Sequence, residues 1–103
     1  SRRENMNLKF EQAADALTVY VEGSIDTVTA PKFESELSQH YAGITELHID
    51  MAQVDYVSSA GLRALAKANQ MMGVSGKMTL KNVNGDVREV FEMTGFDELL
   101  TIE

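Results

Sequence analysis

The chain has no cysteine and no tryptophan, a single proline, and only 9 basic residues against 16 acidic ones. Without cysteine there is no disulfide, no thiolate metal site and no cysteine nucleophile. A formal charge of -7, with no basic cluster larger than Arg2-Arg3, argues against nucleic acid as a direct partner, because phosphate backbones demand a basic surface. No apolar run approaches the length of a membrane span or a signal peptide, so the expectation is a cytoplasmic protein with no direct membrane insertion. Only two histidines, His40 and His48, are left as bases or ligands.

What is present is a folding composition. Of 103 residues, 44% are hydrophobic and 24% charged, enough for one core and too few residues for two. Residues 1–103 read as a single domain, with residues 1–5 a flexible or trimmed end. No repeat, linker or low-complexity segment interrupts it.

Taken in order, Met6, Leu8 and Phe10 alternate with polar residues, as do Leu17, Val19 and Val21, and the short Gln12 to Ala16 between them makes a β-hairpin. Thr29 and Pro31 mark a helix start, Thr29 capping, with Phe33, Leu37 and Tyr41 on the buried face and Gly43 as its end. Leu47, Ile49 and Met51 form a third strand, which feeds a loop containing Ser58 and Ser59. A helix begins at Ser59, burying Leu62, Leu65, Ala66 and Met72, with Arg63, Lys67 and Gln70 outside. Gly73 to Gly76 is a turn, and Met78 and Leu80 mark a fourth strand. Asn84 caps a third helix bearing Val87, Val90 and Phe91, Gly95 stops it in a left-handed conformation, and Leu99 to Ile102 add a last short strand.

The order is β-β-α-β-α-β-α-β. Strands joined through helices run parallel by right-handed crossovers, while the hairpin is antiparallel, giving an α/β fold with a mixed sheet. Glu46 and His48 oppose the apolar side of the third strand, which places the helices mainly on one face.

Chemistry concentrates at the two serines. The first turn of a helix leaves backbone N–H groups without partners and carries partial positive charge, so a hydroxyl there can serve as a cap or accept a phosphoryl group. Gly61, lacking a side chain, lets another backbone or an active site come close. A serine-histidine triad is not indicated: His48 precedes Ser58 by ten residues on a strand, and no G-x-S-x-G elbow exists. His40 fits a charge at the end of the first helix. Asp50 and Asp55 flank the serine loop as solvated acids, and no metal-ligand spacing appears. Six methionines, two of them adjacent at Met71-Met72, put at least one on the surface as an adaptable contact.

Three stretches, E-G-S-I-D-T-V-T-A-P (Glu22 to Pro31), L-H-I-D-M-A-Q-V-D-Y-V-S-S-A-G-L-R-A-L (Leu47 to Leu65) and V-F-E-M-T-G-F-D (Val90 to Asp97), resemble the STAS domains, and among them the bacterial anti-sigma factor antagonists of the SpoIIAA type. The resemblance spans nearly the whole chain. It implies the STAS fold and a phosphoacceptor two positions before the glycine, at Ser59, with Ser58 as the alternative. Ser58 stands where many members carry Asp. It further implies a partner-binding surface of Asp26, Thr27, Asp55, Ser58, Ala60, Gly61 and Arg63.

By the same resemblance the unmodified protein binds an anti-sigma factor that is also a serine kinase, phosphorylation breaks the complex, and a serine phosphatase resets it. ATP and Mg²⁺ then belong to the kinase, and the chain itself is no enzyme, holds no cofactor and is a monomer when free. The alternative reading is a STAS scaffold subunit of a transport ATPase or another non-sigma complex, without phosphorylation.

Overall fold

The computed structural model describes residues 6–103; the expectation for residues 1–5 lies outside the described residues. Strands β1 (Met6–Ala13) and β2 (Ala16–Ile25) form the antiparallel hairpin, with Phe10 opposite Val19 and Lys9 opposite Tyr20. Next come α1 (Ala30–Leu37), β3 (Glu46–Val57), α2 (Ser59–Met72), β4 (Lys77–Lys81) and α3 (Gly85–Thr94). A single 3-10 turn, Phe96–Glu98, leads to β5 (Thr101–Ile102). The sheet order is β1-β2-β3-β4-β5, antiparallel at the first pair and parallel at the other three.

Strand alternation explains the layering. Leu17, Val19 and Val21 of β2, Leu47, Ile49 and Met51 of β3, and Met78 and Leu80 of β4 are buried on one face. The apolar sides of all three helices join that same core, through Phe33 and Leu37, Leu62 and Leu65, and Val87 and Phe91. The opposite face stays polar. There Tyr20 donates to Glu11 (3.3 Å), and His48 Nε2 lies 3.1 Å from Glu46. The Glu11 carboxylate is also the main cause that raises the Tyr20 hydroxyl above its ordinary pKa.

The caps were legible where a side chain does the capping. Asn84 accepts from the Val87 amide at 3.0 Å and also donates to the Val54 carbonyl at 2.7 Å, tying α3 to β3. Gly95 stops α3 at φ 81°, a left-handed conformation suited to glycine.

Three boundaries differ from the sequence reading, the smallest at β5, which starts at Thr101 rather than at Leu99 because Leu99 closes the 3-10 turn. Helix α1 ends at Leu37 rather than at Gly43, because the chain tightens through Gln39 N–H to Glu36 (3.3 Å) and His40 N–H to Leu37 (3.0 Å). His40 is consequently not a helix-end charge; its ring stacks on Phe10 with centroids 4.0 Å apart. Strand β3 runs on to Val57, so most of the expected serine loop is strand, and Asp50 and Asp55 lie within it. Register shifts between Tyr20 and Glu22 and between Gly23 and Ser24 let β2 follow it, pairing Ser24 with Tyr56 and Ile25 with Val57.

Tyr41, beyond the end of α1, lines a groove of about 590 Å³ between α1 and α2 with Leu37, Ala68 and Met71. Met71 is 54% exposed while Met72 points inward. Burial first, then the Glu34 carboxylate, pushes the Tyr41 hydroxyl up to about 12. A raised folded-state value favours the neutral phenol in the fold, so its contribution to stability is complete below pH 10 and lost as pH rises through about 12. In an absorbance titration at alkaline pH a tyrosine step near 12 is expected, and Tyr41→Phe should remove it; survival of that step would reassign it.

Candidate functional site

The C-terminal ends of the parallel neighbours β2 and β3 lie side by side, so the two segments leaving them, 26–29 and Ser58–Ser59, emerge together. The seam between them is made of backbone. Ser58 N–H donates to the Ile25 carbonyl at 3.0 Å. Gly61 is buried on α2 directly against the same carbonyl: a Cβ there would fall inside the contact shell of the Ile25 oxygen and stand 2.9 Å from both the Ile25 carbonyl carbon and Val57 Cγ1. The close approach foreseen for Gly61 is therefore internal. Among the residues expected on a partner-binding surface, Gly61 acts by packing and offers no surface of its own.

Ser58 is the N-cap of α2. Its extended backbone (φ -89°, ψ 179°) lets Oγ accept from Gly61 N–H at 3.3 Å, while its carbonyl accepts from Leu62 N–H at 2.8 Å. Ser59 is the first helical residue and is exposed. Among the described residues its hydroxyl has no hydrogen-bond partner. Two adjacent serines thus differ: one is tied into the helix start and the other is presented to solvent.

The facing segment is ordered by one carboxylate. Asp26 Oδ1 accepts from the Val28 and Thr29 amides, both at 3.0 Å, in an Asx-type turn. Thr29 does not cap α1 with its side chain, as the sequence suggested, because its buried hydroxyl donates to the Ser24 carbonyl (2.7 Å) and accepts from Asp26 N–H (2.9 Å). Asp26 thereby fixes the turn that leads into α1, whose first amide, Ala30 N–H, donates to the Asp26 carbonyl at 2.8 Å. Thr27 stands exposed at the tip. Asp55, exposed on β3, accepts from Ser24 Oγ at 3.1 Å, and Ala60 and Arg63 follow on α2, Arg63 exposed.

Two residues that the sequence reading passed over belong to this surface. Val28 is 64% exposed and Tyr56 53% exposed, each within three residues of a residue named above. The available signal was a β-branched residue in a turn, and an aromatic falling out of phase with the inward alternation of its strand.

Histidine and serine are not brought together at this site among the described residues. His48 sits on the polar face of β3 near its start, and nine strand residues at about 3.3 Å each put it roughly 30 Å from the serine end. Its Nδ1 is buried without a partner among the described residues, its Nε2 beside Glu46. Asp50 is engaged by Ala52 N–H (3.0 Å) and Asn82 Nδ2 (2.9 Å), and no group of three or more acidic or histidine side chains is disposed to hold a metal among the described residues. No described helix is long and apolar enough to cross a membrane.

Residues 7–103 match the model of the STAS domain. The chain belongs to the STAS family. This STAS domain is 36% identical over 93 residues to BtrV of Bordetella bronchiseptica, a protein named as an anti-sigma factor antagonist, covering 88% of this chain and 80% of that one. It is 30% identical over 96 residues to the anti-sigma-B factor antagonist of Listeria monocytogenes, covering 90% and 83%. Among solved structures, an anti-sigma factor antagonist from Mycobacterium paratuberculosis superposes with a TM-score of 0.85 at 26% identity, covering 94% of this chain and 84% of that one. The STAS fold expected from the resemblance, mixed sheet and three helices included, is the fold found.

Proposed function

We propose that this STAS domain is a cytoplasmic anti-sigma factor antagonist that binds an anti-sigma factor with serine-kinase activity while Ser59 is unmodified, and separates from it once Ser59 is phosphorylated. The observation that carries this reading is the difference between the serines: Ser58 is engaged as a cap, and Ser59 is exposed with a free hydroxyl at the start of α2. The names of the relatives support the choice of partner.

Asp26, Thr27, Asp55, Ser58 and Arg63 make the polar part of the contact surface, and Val28, Tyr56 and Ala60 its apolar part. In the transfer the Ser59 Oγ takes the γ-phosphoryl group of the kinase-bound ATP, its proton leaves to a base on the kinase, and ADP departs. A serine phosphatase returns the hydroxyl by hydrolysis, releasing inorganic phosphate. ATP and Mg²⁺ are held by the kinase, and this chain supplies the acceptor and the surface.

Phosphopeptide mass spectrometry on the protein recovered from its own cells tests the assignment, with fragmentation that separates the two serines. Phosphate on Ser59 is the expected result. Phosphate confined to Ser58, or none across growth conditions at full peptide coverage, overturns it.

A further inference from the structure

Arg63 stands one helical turn after Ser59, and both are exposed on α2. Residues four apart on a helix are neighbours, with Cβ atoms about 5–6 Å apart, and helical side chains lean toward the N-terminus. Ser59 is therefore within reach of the Arg63 side chain across one turn. Among the described residues Arg63 has no hydrogen bond or ion pair, whereas the next cation along the helix, Lys67, is held 3.6 Å from Glu34. Of the acids expected on the contact surface, Asp26 accepts from two amides and Asp55 from the Ser24 hydroxyl.

We propose that Arg63 is an intramolecular clamp for the phosphate on Ser59, its guanidinium pairing across one turn with the phosphate oxygens. The planar, permanently charged fork suits phosphate in a way a neutral side chain does not. The inference rests on the reading of Ser59 as the acceptor, and it gives the modification two effects at once. A dianion is added to the contact surface, and the cation that the unmodified protein presents to its partner is turned inward onto that dianion. The spacing of two exposed side chains carries this, not the helix terminus, whose amides would meet the phosphate whatever residue stood at 63.

The test uses the full chain with phosphoserine incorporated at position 59 during translation, so its outcome does not depend on any kinase. Phosphorus NMR follows the second ionisation of the phosphate with pH. The midpoint is expected to lie lower in the parent than in Arg63→Gln, by about 0.15 to 0.35 pH units, with Arg63→Lys between them. Coincident midpoints for parent and Arg63→Gln, with both showing the same folded amide spectrum, overturn the clamp. A second readout stays within the parent sequence: the Arg63 Nε–H signal should shift and exchange more slowly on going from serine to phosphoserine. An unchanged signal overturns the clamp as well. Absence of phosphate on Ser59 in cells would count against the functional reading, while these two measurements would still decide the side-chain pairing.

Discussion

Replacing Gly61 with alanine is expected to destabilise the domain by about 3 kcal/mol, the upper part of the range for forcing atoms into a packed interior. For a domain of this size that corresponds to a fall in Tm of roughly 12 to 24 °C. The cause is local. The new methyl would stand inside the contact shell of the Ile25 carbonyl oxygen, and 2.9 Å from Val57 Cγ1. Neither neighbour is a flexible side-chain end, since the carbonyl belongs to the strand backbone and also holds the Ser58 amide. The helix would have to lift away from β2, stretching the bond that seats the serine turn. Gly85→Ala is the matched control, because that glycine has open space at its Cβ position and no left-handed backbone; it should be neutral or slightly stabilising. Urea unfolding of both proteins checks the pair, and equal midpoints for Gly61→Ala and the parent would mean that α2 can shift without cost.

The second large effect concerns binding. Phosphoserine at position 59 is expected to weaken the complex with the kinase partner at least about 100-fold, or about 2.7 kcal/mol. It brings roughly 1.5 to 2 negative charges to a surface that already carries Asp26 and Asp55. The expected effect is electrostatic and needs no change of fold. Titration calorimetry of the purified partner with the serine and phosphoserine proteins measures the difference. Ser58→Ala serves as the comparison: it removes a helix cap, costing about 1 kcal/mol of stability, and phosphoserine at 59 should still weaken its complex by a similar factor. Equal affinities for serine and phosphoserine at 59 would end the switch model and favour a constitutive scaffold.

The fold was readable wherever a single local rule applied. Alternation in Leu17, Val19 and Val21 is strand periodicity with one side buried, and Asn84 and Gly95 bracket α3 with side-chain and left-handed caps that leave plain sequence marks. It was misread where two rules competed. Val54 and Val57 are both buried although three residues apart, because shifts in the β2–β3 register change the phase, and the alternation that marks Leu47 to Met51 stops being visible. Tyr41 keeps four-residue spacing with Leu37, yet it is half-buried along the groove from a chain that has already left the helix. Asp26 and Thr29 are both good caps three residues apart, and only the fold shows that the carboxylate takes the amides while the hydroxyl turns to Ser24.

For the candidate site, local sequence left Ser58 and Ser59 open, and the family resemblance favoured Ser59. Exposure and the cap bond now separate them physically. Val28 and Tyr56 were missed because exposure of an apolar residue depends on neighbours that are distant in the chain.

On the proposed function, the Ile25 carbonyl, shared between the Ser58 amide and the close face of Gly61, means that the acceptor serine is located by main-chain atoms and a missing side chain. None of the outward-facing side chains at Thr27, Val28 or Tyr56 takes part in that seat. Those positions can therefore drift in sequence without displacing the hydroxyl, and duplicated copies in one genome can come to prefer different kinases while keeping the same chemistry. Insulation between parallel signalling circuits follows from separating what holds the switch from what chooses its reader.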